Sequence, residues 1–195
     1  MSISDPTEMA AYEERLAKST IGQLQPLTAP IEIAEYDLAW PRLYERDASR
    51  IRSILNERVV RIEHVGSTSV HDLPAKPIID IVLEVPDSAD EGAYVPALEA
   101  RGYVLRIREA DWFEHRLFKG PDTDINLHTF SAGCSEVDRL LIFRDRLRAN
   151  AADRQLYTRT KRELAARDWK YVQQYADAKA AVVNEIIARA QAAAG

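Results

Sequence analysis

Two short stretches of this chain carry the residue types that handle phosphate. His64-Val65-Gly66-Ser67-Thr68-Ser69 puts a glycine and three hydroxyls at the end of one apolar run, and Lys76-Pro77-Ile78-Ile79-Asp80-Ile81-Val82-Leu83 sets a single carboxylate inside the next. Glycine lets the backbone approach a ligand closely, and the hydroxyls and N–H groups beside it can surround phosphate oxygens. A carboxylate among isoleucines is costly unless it is paired, hydrogen-bonded or metal-bound. Asp80 is therefore the candidate to hold Mg²⁺ or Mn²⁺, the cation that accompanies a nucleoside triphosphate. An ion pair to Lys76 or to an arginine of the C-terminal region is the structural alternative.

Other residues narrow the chemistry. Gly66-Ser67-Thr68-Ser69-Val70 lacks the second glycine of a nucleophile elbow. His64 and His128 lie on apolar runs, where a histidine is more often a hydrogen-bonded core residue than a catalyst. Facing one cleft, either could act as general base on an attacking hydroxyl or amine. Glu84 shares a strand face with Asp80, but four residues at ~3.3 Å each place it ~13 Å away. That is too far to share a metal pair, so Glu84 reads as a solvated strand end. Cys134 is the single cysteine, which excludes an internal disulfide, and the histidine and cysteine spacing shows no closed zinc pattern.

The elements that must position these residues follow from pattern. Residues 1–30 read as an arm, with a helix over Glu8–Lys18 and then breakers at Gly22, Pro26 and Pro30. Asp37 caps a helix carrying Trp40, Leu43, Tyr44, Ala48, Ile51 and Leu55 at helical spacing. Strands are predicted over Arg58–Val65 and Pro77–Val85, the second apolar almost throughout, as a strand covered on both faces should be. A helix is expected from Asp87 through Ala100 with Gly102 as its C-cap. Strands follow over Tyr103–Ile107, Trp112–Lys119 and Asp124–Phe130. The last third reads as three helices: one capped by Ser135, one over Ala152–Ala166 and one over Tyr171–Ala190 with Val172, Tyr175, Val182, Val183, Ile186 and Ile187 on its buried stripe.

Composition bounds the function classes. With 195 residues and 46% apolar content the chain can bury a full core, and one domain over 31–195 behind the arm is expected. No apolar run approaches the ~20 residues of a membrane helix, and Met1–Pro6 has neither the basic nor the apolar region of a secretion signal, so a cytoplasmic location is expected. A net charge of −5 argues against broad nucleic-acid binding but not against a local basic pocket for a small anion.

The Gly66-Ser67 pair, a twelve-residue spacer and Asp80 resemble the nucleotidyltransferase-superfamily pattern of Gly-Ser followed by acid-apolar-acid; Val82 stands where that pattern has its second acid. Tyr36-Asp37 with Trp40-Pro41, His64-Val65-Gly66-Ser67-Thr68, Ala75-Lys76-Pro77-Ile78-Ile79-Asp80-Ile81, Asn126-Leu127-His128-Thr129-Phe130, Phe143-Arg144-Asp145, and Tyr175 with Lys179 together resemble the GrpB family. Its members are mostly uncharacterised and assigned to the nucleotidyltransferase fold. The resemblance implies an α/β (α+β) fold, a small mixed sheet flanked by helices with a helical C-terminal third. It also implies a phosphate site of Gly66, Ser67, Thr68 and Lys76 completed by Arg144, Lys161 and Lys179, with Asp80, His128 and His64 as the catalytic candidates. The function expected is metal-dependent binding of a nucleoside triphosphate and nucleotidyl transfer to a small acceptor. The alternatives are a non-catalytic nucleotide-binding or regulatory module, and a ligase or transferase of another chemistry using the same pocket. His71-Asp72 replaces the Pro-Gly turn usual in the family, where Asp72 either tolerates the turn or adds a carboxylate near the phosphate site.

Overall fold

The computed structural model describes residues 5–193. Residues 1–4, part of the stretch read for a secretion signal, and residues 194–195 of the Ala-rich tail lie outside that range.

The predicted mixed sheet is present and sets the geometry of everything else. Its strands are β1 (Arg61–Val65), β2 (Ile79–Val85), β3 (Val104–Glu109), β4 (His115–Lys119) and β5 (Ile125–Ser131), in the spatial order β1-β2-β5-β4-β3. Only the β2–β5 pair is parallel; β1 with β2, β4 with β5 and β3 with β4 run antiparallel. Strand β2 sits between β1 and β5 with six of its seven residues buried, which explains its unbroken apolar run.

Period-two alternation splits β2 between two cores. Ile79, Ile81, Leu83 and Val85 pack under helix α2 (Ala39–Leu55), whose Trp40, Ala48, Ile51 and Leu55 supply the facing stripe, and under the one-turn helix α3 (Val95–Glu99). Val82 packs on the other face with Val65, Phe130 and Val137 of helix α4 (Ser135–Ala149). Helices α5 (Ala151–Ala165), α6 (Val172–Ala178) and α7 (Ala180–Ala192) complete the helical C-terminal third. Asp153, buried at 2% exposure, ties that third together by accepting from Arg146 and pairing with Arg189.

The arm docks on the rest of the chain. Helix α1 (Pro6–Ser19), capped by Asp5, sends the Tyr12 hydroxyl to Asp177 at 2.8 Å, while Glu13 meets Lys170 and Tyr171. Beyond it, Ile21 N–H bonds Arg106 O on β3 and Leu27 N–H bonds Lys170 O.

Several expectations are corrected. The helix expected from Asp87 to Ala100 is a 3-10 turn at Glu91–Ala93 followed by α3, since Gly92 and Pro96 interrupt the pattern. Trp112–Glu114 form a turn ahead of β4, with Phe113 and Glu114 at positive φ. The cap of α4 is Cys134, and Ser135 is the first helical residue. The long C-terminal helix is broken at Lys179, and Val172 is exposed rather than part of the stripe. Glu84 is not solvated: it is buried, paired with its cross-strand neighbour Arg61 at 2.8 Å and bonded by Gly133 N–H at 2.9 Å. Asp72 has φ +60°, so it takes the left-handed turn conformation in which the family pattern has glycine, and its carboxylate pairs with His71.

Candidate functional site: a lysine cleft beside Asp80

The end of β1 creates the site. Gly66 leaves the strand at φ +67°, and a Cβ there would lie 2.3 Å from Asp80 Oδ2, so only glycine lets the chain turn this close to the carboxylate. Residues 67–69 then form a 3-10 turn whose hydroxyls have different partners. Ser69 Oγ donates to Gly66 O, Thr68 Oγ1 donates to Ile78 O, and Arg148 donates twice to Ser69 O. Thr68 and Ser69 thereby brace the turn, while Ser67 alone reaches the cleft and accepts from Lys161 Nζ at 3.1 Å.

Three lysines converge there from three elements: Lys76 from the segment before β2, Lys161 from α5 and Lys179 from the break between α6 and α7. Lys161 is 2% exposed, lies over the Tyr157 ring at 4.8 Å and also donates to Pro74 O. Lys179 and Lys76 both lie over the Tyr175 ring, at 4.5 and 5.6 Å. Among the described residues none of the three lysines has a carboxylate partner within ion-pair distance. Burial pushes the Lys161 ammonium down to about 7 and Lys76 down to about 8, with the charge of Lys179 adding to both. Lys179 is lowered by burial as well, with Asp80 opposing. The Tyr175 hydroxyl is buried and has no hydrogen-bond partner among the described residues. The carboxylate whose charge acts on Lys76 and Lys179 from across the cleft is Asp80.

On the cleft's other wall, Asp80 Oδ1 accepts from Asn126 Nδ2 at 2.8 Å, and Lys119 donates to Asn126 Oδ1 at 2.9 Å. His128 Nε2 stands 3.7 Å from Asp80 Oδ1. Burial alone would raise the Asp80 carboxyl; His128, Asn126 and the charge of Lys76 outweigh it and hold the group below its usual range. Behind His128 lies a pair absent from the sequence-based candidates. His128 Nδ1 is 3.1 Å from His115 Nε2, and His115 Nδ1 is 2.7 Å from Glu109 Oε2. Burial lowers the His115 imidazole to about 4 despite its bond to Glu109.

The remaining candidates lie elsewhere. His64 pairs in register with Ile81, so it points to the face opposite Asp80. There it stacks on Tyr44 at 4.8 Å, bonds Thr68 Oγ1 and is lowered to about 4 by burial. Arg144 is held by Glu63, Asp145 and His64 O, fastening α4 to β1.

The residues around Asp80 do not form a closed, protein-only site for a divalent cation; a cation there would have Asp80 as its one carboxylate. Among the described residues no group of three or more His, Cys, Asp or Glu could hold a metal. Val82, two residues along the same face, is fully buried in an apolar cluster, and the groups nearest the carboxylate are cationic or already bonded to it.

Comparison with known proteins agrees with this architecture. The GrpB protein family model matches residues 30–189, beginning where the arm ends. A UPF0157 protein of Halalkalibacterium halodurans is 61% identical over 180 residues, covering 92% of each chain, and one of Streptomyces coelicolor is 44% identical over 168 residues, covering 86% of this chain and 88% of its own. The crystal structure of the conserved protein GrpB from Enterococcus faecalis superposes with a TM-score of 0.72 at 31% identity, over 82% of this chain and 96% of that one. The chain belongs to the GrpB family.

Proposed function

We propose that the cleft binds the phosphate groups of a nucleotide and transfers a nucleotidyl group to a small hydroxyl-bearing acceptor. The observation that carries this reading is a set of three lysines, Lys161 buried and Lys76 and Lys179 half-buried over the Tyr175 ring, with no carboxylate within ion-pair distance among the described residues. An ammonium removed from water costs several kcal/mol unless an opposite charge compensates it, and a phosphate chain supplies several oxygens at once. Ser67 and Lys161 would hold one phosphate, Lys76 and Lys179 the charge that develops on the leaving group. Catalysis would then come from positioning and from charge stabilisation by fixed ammonium groups. His128, beside Asp80, is placed to accept the acceptor's proton. As the O–H proton moves to His128, the acceptor oxygen bonds to phosphorus, and the bond to pyrophosphate breaks with its electron pair leaving on pyrophosphate.

The missing acid at Val82 favours a second reading, a nucleotide-binding module without turnover. Thermal unfolding with pyrophosphate, ATP and GTP, in EDTA and in Mg²⁺, tests binding. Ligand at a hundredfold above Kd adds about 2.7 kcal/mol of stability, and Lys161→Met or Lys179→Met abolishes the gain. Absence of stabilisation by any of these ligands in the unaltered protein removes both readings. Incubation with α-labelled nucleotides and a panel of small alcohols then separates them, since only the transfer reading produces a labelled acceptor.

A further inference from the structure

The four groups that cross the sheet from Glu109 to Asp80 fix the position of a proton. A carboxylate only accepts, so the 2.7 Å contact requires His115 to carry its proton on Nδ1. His115 is 4% exposed, with its ring packed against Phe130 and Trp112, and it is neutral in that setting. Its Nε2 is then a lone pair, and the 3.1 Å contact to His128 requires the proton of that ring to sit on Nδ1 too. In neutral His128, Nε2 is left bare and faces Asp80 Oδ1 across 3.7 Å. Two acceptors thus look at each other over a gap too long for a hydrogen bond.

We propose that Glu109 and His115 are positioning residues that hold His128 in its Nδ1-protonated tautomer, presenting the Nε2 lone pair to a ligand hydroxyl that lies between it and Asp80. This rests on the transfer reading only for the use made of the lone pair; the tautomer itself follows from the hydrogen-bond chain. The ligand group is a hydroxyl because it must give a proton to Nε2 and leave an oxygen free to react. A second imidazole and a carboxylate behind the base do what the orienting carboxylate does in a hydrolase triad, with one more ring in between.

Nitrogen-15 NMR of the full chain, uniformly labelled and held at mildly alkaline pH, reads the proton position directly. The unaltered protein is expected to show Nδ1–H and a bare Nε2 at both His115 and His128. His115→Phe keeps a ring against Phe130 and Trp112 but removes the acceptor, and the His128 proton is expected to move to Nε2, toward Asp80. Glu109 is half-buried at a strand end. Glu109→Leu should leave both rings as tautomer mixtures, while Glu109→Gln, which retains an acceptor oxygen, restores the fixed state. An Nε2–H signal at His128 in the unaltered protein overturns the proposal, as does a His128 tautomer indifferent to both His115→Phe and Glu109→Leu. Lysine-dependent nucleotide binding is measured separately, so its failure leaves this result legible, and the reverse.

Discussion

Gly66 and Asp80 touch so closely that a single added carbon would collide: a Cβ at 66 would lie 2.3 Å from Asp80 Oδ2 and 2.9 Å from Asp80 Cβ. The glycine and the carboxylate are one device, because the turn that opens the cleft exists only while the place of its side chain is taken by Asp80. Gly66→Ala combines this collision with a left-handed backbone and is expected to cost about 3 kcal/mol. Urea unfolding checks it; a loss under about 0.5 kcal/mol would mean that the turn can relax away from Asp80.

Asp80→Asn separates the carboxylate from any role in holding a cation. The substitution removes a negative charge that faces Lys76 and Lys179, so pyrophosphate binding in EDTA should strengthen severalfold, about 1 kcal/mol at the effective dielectric of such a site. Transfer, where present, should fall because the imidazolium formed when His128 takes the proton loses its facing negative charge. Calorimetric titration decides: weaker binding that reappears only with Mg²⁺ in the unaltered protein would return Asp80 to the metal role.

The lysines make stability depend on pH with a definite sign. Folded Lys161 and Lys76 release their protons near 7 and 8, whereas unfolded lysines hold theirs up to about 10.5. Between those values the unfolded chain binds more protons, so stability rises with pH across that window. Below about 7 both states are protonated and the penalty is fully present. Lys161→Met should stabilise the protein at pH 7 and flatten the rise, measured by denaturant titration from pH 6 to 10. An unchanged slope would show that Lys161 keeps its ordinary affinity for protons.

Val82→Asp restores the acid-apolar-acid pattern on paper but not in the fold. Val82 is 0% exposed among Val65, Phe130 and Val137, with His128, a titratable group, its register neighbour on β5. The substitution is expected to cost about 4 kcal/mol and to leave Mg²⁺ affinity unchanged, both readable from one thermal melt with and without the metal. Metal-dependent stabilisation of the variant would show that the strand can accept a second acid.

What could be read from the sequence was whatever lies close along the chain. Gly66, Ser67 and Asp80 announce themselves as a turn between apolar strands, and the continuous run of β2 announces a strand covered on both faces. Lys161 and Lys179 were visible only through likeness to a family, since their meeting with Ser67 depends on how α5, α6 and α7 pack. Glu109 and His115 carried no local signal. His115 sits between Glu114 and Arg116, two charged residues that disguise it as surface, and only the pairing of β4 with β5 brings it to His128. Glu84 failed differently: the charge-in-an-apolar-run argument applied to Asp80 applied equally there, but its partners, Arg61 across the strand and Gly133 before α4, come from the sheet register and the following turn.

The late position of Lys161 and Lys179 along the chain gives the cleft an order of assembly. Gly66, Ser67, Lys76 and Asp80 leave the ribosome with the first half of the chain, yet two of the three cations arrive on α5 and at the α6–α7 junction, after the sheet has been synthesised. A nascent sheet can therefore display the carboxylate wall but has little hold on an anion. On the proposed function, phosphate capture would be a property of the finished molecule, and a bound nucleotide would recognise chains that have completed folding and pass over those that have not.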